Sequence, residues 1–391
     1  MKKTLVSGTV LKDLFRFPVL FAMLLGLILS CAQDSIFYDI SLEREPKNPR
    51  IAGSPTNMAI LNSRIYAGTR RGNKIFYYEN KKWSSINTVG GSLGNLASDG
   101  SHLYVLLFPK GDPLKQALIK RFDGTDWDDA WNDSLFIDYS GYSIETIFCA
   151  GGKVFAGGRK GESNYAIFEC DPADSSPSFA TFMETASPFS GVVEYGAETY
   201  LATYNDGVFK YNDTTAPIAE TVNKRISGII ETGGILVAVS SNGIVYTYEP
   251  GDIEFVTLTS PGGEFTGAMC KWFEFNSVDN PNPTVPSLLL LGRQAQSSSS
   301  NQGYRELILD TSGKPTTGII KTPGEEDLPT SANSKRAMYE SSIGKHAVNS
   351  ILQVPYDMVS DAETEYDLPV FASTAQNGIW SCHLGEWNAE E

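Results

Sequence analysis

Apolar residues recur along this chain in short alternating runs, each followed by a loop that carries glycine. The clearest are Ile65-Tyr66-Ala67-Gly68 before Gly72, Val154-Phe155-Ala156-Gly157 before Gly161, Tyr200-Leu201-Ala202 before Gly207 and Leu236-Val237-Ala238 before Gly243. In all four the alanine precedes the loop glycine by five residues. Weaker copies stand at Leu103-Tyr104-Val105 with Gly111, Leu289-Leu290-Leu291 with Gly303 and Val370-Phe371-Ala372 with Gly378, which makes seven. Before each run lies another apolar segment, often opened by small residues, as in Ser190-Gly191-Val192-Val193, Ser227-Gly228-Ile229-Ile230 and Thr266-Gly267-Ala268-Met269. After it comes a third, such as 74–78, 208–211 or 244–248, and several reach a polar turn and then Trp83, Trp127 or Trp387. Period-two alternation, β-branched and aromatic enrichment and turn signals about every 8–12 residues predict antiparallel strands. No stretch beyond the first thirty residues sustains a helical period.

Four strands repeated seven times, at a mean spacing of roughly 50 residues, predict an all-β fold. The expected architecture is a seven-bladed β-propeller of four-stranded antiparallel blades over residues 56–391. Small residues in the first strand of a repeat suit a crowded axis, and late tryptophans suit the wider periphery. A pair of large β-sandwiches is the alternative, but it would not require one motif seven times. The last tryptophan stands four residues before Glu391, so blade 7 is expected to have only a short outer strand. Residues 36–42 either pair beside that strand and hide its edge or serve as a linker. The resemblance is to propellers as a class. Gly157-Gly158 resembles the kelch repeat, although the other blades lack the pair. The turn from Asp123 to Trp127 resembles the Asp-box of sialidases, one residue short and without its preceding serine.

The first 31 residues carry a different signal. Lys2, Lys3, Lys12 and Arg16 form a positive leader, residues 17–29 an apolar run interrupted by Pro18 and Gly26, and Ser30 and Cys31 follow. These are the parts of a secretory signal, with an apolar core of about 13 residues against the roughly 20 of a spanning helix. An uncleaved anchor is the competing reading. Ile28, Ser30 and Cys31 resemble the lipobox of bacterial lipoproteins, with Leu29 where a smaller residue is usual. The resemblance implies a signal peptide over residues 1–30, acylation of Cys31 by palmitate-type chains, and a lipidated linker or closing strand over 31–55. It also implies attachment to a bacterial membrane in the cell envelope, at the outer membrane or cell surface rather than the inner membrane. Ala32 is not the aspartate that retains some lipoproteins.

The chain has 31 basic and 46 acidic residues, a net charge of −15. Loss of residues 1–30 removes four basic groups and one acidic group and leaves −18. Such a field disfavours nucleic acid as a partner. Cys149, Cys170, Cys270 and Cys382 are far apart and form no C-x-x-C pair, so they predict buried thiols, with a single disulfide as the alternative.

Catalytic motifs are lacking. His102, His346 and His383 are the three histidines, and none lies in a nucleophile or zinc motif, so no cofactor, metal or catalytic residue is assigned. The acidic run Asp123, Asp126, Asp128, Asp129 and Asp133 invites a calcium reading, but it lacks EF-hand spacing and fits a hairpin turn better. The loops joining second to third strands carry Arg70, Arg71, Lys110, Arg159, Lys160 and Arg293. In a propeller these loops share one face. The residues are either solvated loop tips or a site for an anionic ligand, a glycan or an acidic envelope protein, where arginine supplies planar paired donors. Long segments at 276–286, 323–348 and 355–369 are candidate partner contacts or disordered loops. The expected function is a lipid-anchored envelope scaffold that presents a rigid propeller for protein or ligand binding. The alternative is a glycan-acting enzyme or small-ligand sensor that uses the central cleft.

Overall fold

The computed structural model describes residues 51, 54–70, 72–79, 82–88, 91–109, 117–128, 131, 141–174, 177–249, 251–259, 264–274, 284–294, 303–320, 343, 346–354, 369–375, 377–383 and 386–390. The leader, Cys31, residues 36–42, Arg71 and Lys110 lie outside the described residues, as do most of the three long segments.

Seven antiparallel sheets follow one another along the chain, each built from consecutive strands that pair with their sequence neighbours. Blade 1 is β1 (Ala59–Leu61), β2 (Arg64–Gly68), β3 (Lys74–Glu79) and β4 (Lys82–Asn87). Blade 2 is β5 (Ser92–Ser98), β6 (Leu103–Phe108) and β7 (Leu118–Phe122). Blade 3 is β8 (Ser143–Ala150), β9 (Lys153–Lys160), β10 (Asn164–Cys170) and β11 (Ala180–Thr185). Blade 4 is β12 (Phe189–Tyr195), β13 (Glu198–Thr203) and β14 (Gly207–Lys210). Blade 5 is β15 (Ile226–Thr232), β16 (Ile235–Ser240), β17 (Val245–Tyr248) and β18 (Val256–Thr259). Blade 6 is β19 (Phe265–Trp272), β20 (Leu288–Arg293), β21 (Tyr304–Leu309) and β22 (Pro315–Ile320). Blade 7 is β23 (Val348–Gln353), β24 (Val370–Thr374), β25 (Ile379–His383) and β26 (Glu386–Ala389). The fold is the seven-bladed β-propeller that the repeat predicts.

Among the described residues blades 2 and 4 have three strands rather than the expected four, and single bridges from Phe122 to Trp127 and from Lys210 to Asp213 stand in the outer position. In blade 4 the cause is local. Pro217 has no N–H to give a ladder, so the edge of β14 is satisfied by Ile218 N–H on Val208 O (2.7 Å) and by Thr221 Oγ1 on Val208 N–H (3.0 Å).

The first strands touch one another around the axis, and six of them carry a register shift near their start. These bulges fall at the small and polar residues: between Leu93 and Asn95, Ile144 and Thr146, Phe189 and Gly191, Ile226 and Gly228, Phe265 and Met269, and Val348 and Ser350. A bulge releases backbone groups from their own ladder, and here the neighbouring blade meets several of them. The Asn57 side chain accepts from Leu96 N–H (2.9 Å) and donates to Leu96 O. Asn95 Nδ2 donates to Thr146 Oγ1 (2.8 Å), Thr266 Oγ1 to Val348 O (2.5 Å), and Met58 N–H to Ser350 Oγ (3.1 Å). Between blades 5 and 6 two glycine backbones touch directly, since a Cβ on Gly228 would fall 2.6 Å from Gly267 O. The result is a collar of polar and small residues around the axis.

Among the described residues each blade is a continuous piece of chain, so blade 7 meets blade 1 by side-chain packing and by bonds such as Trp83 Nε1–H to Glu390 Oε2 (2.9 Å). Phe371 of β24 meets Tyr78 (ring centroids 4.8 Å) and Trp83 (5.7 Å), inside a core with Ile51, Met58 and Ile379. Trp83 and Trp387 both lie on outermost strands and both are buried, where the widening gap between blades needs the largest side chains. The short β26 fits the outer strand expected for blade 7.

Cys170, Cys270 and Cys382 are buried as expected, Cys149 is half-buried, and none of the four forms a disulfide. Burial pushes Cys170 and Cys270 up to about 12 and raises Cys149 further, leaving almost no thiolate near neutrality. Iodoacetamide at pH 8 is therefore expected to spare these three in the folded protein and to label them after denaturation. Rapid labelling of the native protein, read by mass spectrometry, would contradict this burial.

Candidate binding face

Strand order divides the loops between two faces. Turns joining first to second and third to fourth strands lie on one, called lower here. Turns joining second to third strands lie on the other, the upper face, with the blade-to-blade connections.

Aspartates on the lower face close its turns. Asp123 Oδ1 accepts the N–H groups of Thr125 (2.7 Å) and Asp126 (2.8 Å). Asp310 Oδ1 accepts Ser312 Oγ (2.6 Å), Ser312 N–H (2.8 Å) and Lys314 N–H (3.0 Å), and Asp213 Oδ1 accepts Thr215 Oγ1 (2.7 Å). These bonds stabilise the charged form and hold all three carboxyls below the ordinary value of 3.8. A group with a lowered folded-state pKa adds stability above its unfolded value and loses it as pH falls through the folded one. Acid titration below pH 4 is thus expected to destabilise the propeller, and Asp310→Asn should shrink that dependence. An unchanged acid transition in the variant would contradict the assignment.

The acidic run noted in the sequence divides in the same way. Asp123 closes its turn and Asp128 pairs with Arg121, while Asp129 and Asp133 lie outside the described residues. Among the described residues no three His, Cys, Asp or Glu side chains converge as metal ligands. His102 sits beside Asp99 (3.6 Å), and His346 Nδ1 meets Asn377 Nδ2 (2.6 Å).

On the upper face, strand register defines one equivalent position per blade, two residues beyond the second-strand partner of the bulge. It is paired with the chain just before the first strand. Arg70 N–H donates to Ser54 O (2.9 Å), Tyr204 N–H to Pro188 O (2.8 Å), Ser241 N–H to Arg225 O (2.8 Å), Gln294 N–H to Glu264 O (2.9 Å) and Ala375 N–H to Ala347 O (2.9 Å). In blades 2 and 3 the same place falls to Phe108, paired with Ser92, and to Arg159, paired with Ser143. Blades 1 to 4 therefore present Arg70, Phe108, Arg159 and Tyr204 at matching positions, while blades 5 to 7 present Ser241, Gln294 and Ala375.

Arg70 and Arg159 are exposed, as is Phe108 at 38%. The Arg70 guanidinium has no hydrogen-bond or ion-pair partner among the described residues. Arg159 Nε donates to Gly161 O (2.7 Å), and its Nη1 lies 3.9 Å from Glu145. Lys160, also exposed, lies over the Tyr142 ring at 5.6 Å. The Tyr204 hydroxyl is 2.9 Å from Ser241 Oγ, so its side chain bridges to the equivalent position of the next blade.

Arg293 does not join this group. It pairs with Phe265, one step earlier than the exposed position, and is buried at 6%, as Thr203, Ser240 and Thr374 are at the same step. Alternation along a strand sends successive side chains to opposite sides, so Gln294 takes the exposed place. The sequence thus points to Arg70 and Arg159 but passes over Phe108 and Tyr204, which read as strand aromatics.

No protein-family model matches this chain, and no curated protein does. Solved structures do. The chain resembles the Niastella koreensis GH74 enzyme (14% identity, 87% of this chain and 55% of that one, TM-score 0.54). It also resembles YCF48 bound to D1 peptide (12% identity, 89% and 96%, TM-score 0.51) and a chain of the mitotic checkpoint complex (9% identity, 86% and 90%, TM-score 0.51). At these identities the likeness is one of fold.

Proposed function

We propose that this protein is a lipid-anchored scaffold of the bacterial cell envelope, which binds an acidic partner on the upper face of its propeller. The observation that carries the reading is that Arg70 and Arg159 stand exposed at equivalent, backbone-pinned positions and contribute little to the fold. Most carboxylates named on the opposite face, by contrast, are spent in turns. Fixed positions lower the ordering cost of binding, and exposed guanidinium groups suit carboxylate partners. The fold can carry a peptide, as YCF48 bound to D1 peptide illustrates. The leader and Cys31 support a membrane tether, since acyl chains contribute about 0.8 kcal/mol per buried methylene.

Two measurements test this reading. Crosslinking and pull-down from intact envelopes should recover a partner with the native protein. Arg70→Glu with Arg159→Glu should lose it at unchanged melting temperature, and equal recovery would overturn the upper-face reading. Cys31→Ala should abolish labelling by radioactive palmitate and release the protein from membranes. Retained label would overturn the anchor.

A further inference from the structure

Arg70, Phe108, Arg159 and Tyr204 occupy one equivalent position in four consecutive blades, in the order cation, aromatic, cation, aromatic. Packed sheets stand about 10 Å apart, and a polyproline II chain advances about 3.1 Å per residue with about three residues per turn. One step from blade to blade therefore matches about one turn of such a chain, which returns every third side chain to the same face.

We propose that these four residues form a strip along one arc of the ring that reads an acidic peptide in the polyproline II conformation, with carboxylates six positions apart and an apolar residue midway between them. The proposal rests on the upper-face reading above and specifies the ligand. Arg70 and Arg159 take the two carboxylates. The terminal nitrogens of Arg70 meet no partner among the described residues, and Arg159 commits only Nε firmly, its Nη1 lying at the margin of ion-pair distance from Glu145. Phe108, exposed and set between them, takes the apolar residue. Tyr204, bridged to Ser241, offers a ring fixed at the end of the strip. A neutral glycan fits less well, because it offers no carboxylate to Arg70 and Arg159, whose planar donors suit carboxylates.

The test is selection of a random dodecapeptide display library on the full chain purified in detergent, with Arg70→Ala/Arg159→Ala and Phe108→Ser as comparison baits. Melting temperatures confirm that each bait is folded. The expected result is enrichment of peptides with two acids six residues apart around an apolar residue. Their binding should fall at least tenfold on either variant and stay unchanged on Gln294→Ala. Enriched peptides without that spacing, or bound equally by the double variant, would overturn the strip. Retention on immobilised polyuronate, lost in the double variant and with no peptide enriched, would assign the strip to a glycan and also overturn the proposal. Either of the last two results can arise while the envelope pull-down still depends on Arg70 and Arg159, so the strip and the scaffold reading fail separately.

Discussion

Gly267→Ala is expected to destabilise the propeller by about 2–6 kcal/mol, because it combines a left-handed backbone with an overpacked contact, each costing about 1–3 kcal/mol. Gly267 has φ +90°, and a Cβ built there would lie 2.0 Å from Ser227 O on the neighbouring blade. Neither side can move away, since Gly228 packs against Gly267 in turn. The substitution would therefore part blades 5 and 6 at the axis. Gly234→Ala is the control. It has φ +74° but open space around it, so only the backbone cost of about 1–2 kcal/mol applies. Urea denaturation midpoints should separate the two variants clearly. Equal losses would mean that the glycine contact at the collar carries no tension.

Phe371→Ala is expected to cost about 3–5 kcal/mol, the range for removing a buried aromatic side chain. It is also expected to loosen a particular place. Phe371 is 1% exposed and packs on Tyr78 and Trp83 across the seam between the last and first blades. No strand is shared between these blades among the described residues, so side-chain packing and a few bonds, such as Met58 N–H to Ser350 Oγ, carry the closure. Hydrogen exchange should accelerate first in β1, β2, β23 and β24, ahead of β15 and β16 on the far side of the ring. Uniform acceleration around the ring would contradict a seam held in this way.

The fold was legible because its signal is repeated. Seven copies of an alternating second strand, often after a small-residue opening, leave little freedom once period two is recognised. Register was harder to read. The shared spacing from alanine to loop glycine makes Ala67, Ala156, Ala202 and Ala238 look equivalent, yet pairing separates them. Ala202 pairs with Gly191 at the bulge, whereas Ala238 pairs with Ile229 and Ala156 with Ile147, one step further on. Equivalence is set by the partner strand, which a single strand's spacing does not reveal. The same one-step ambiguity hid the site. Arg293 reads as a loop cation but falls on the inward step, and Phe108 reads as core but falls on the outward one. The doublets Ser190-Gly191 and Ser227-Gly228 mark the bulge and would have fixed the register if carried across to the second strand. The missing fourth strand of blade 4 had a visible cause in Pro217, although a single proline at an outer edge is weak evidence alone.

The most direct test of an upper binding face is site-specific photo-crosslinking in intact envelopes. A photoreactive residue would replace Arg70, Phe108, Arg159 or Tyr204 on one face, and Asn62, Gly124, Ala173 or Ser312 on the other. A partner captured from the four upper positions and from none of the lower ones is the expected result. Capture from the lower positions alone would place recognition on the lower face and contradict the binding face assigned here.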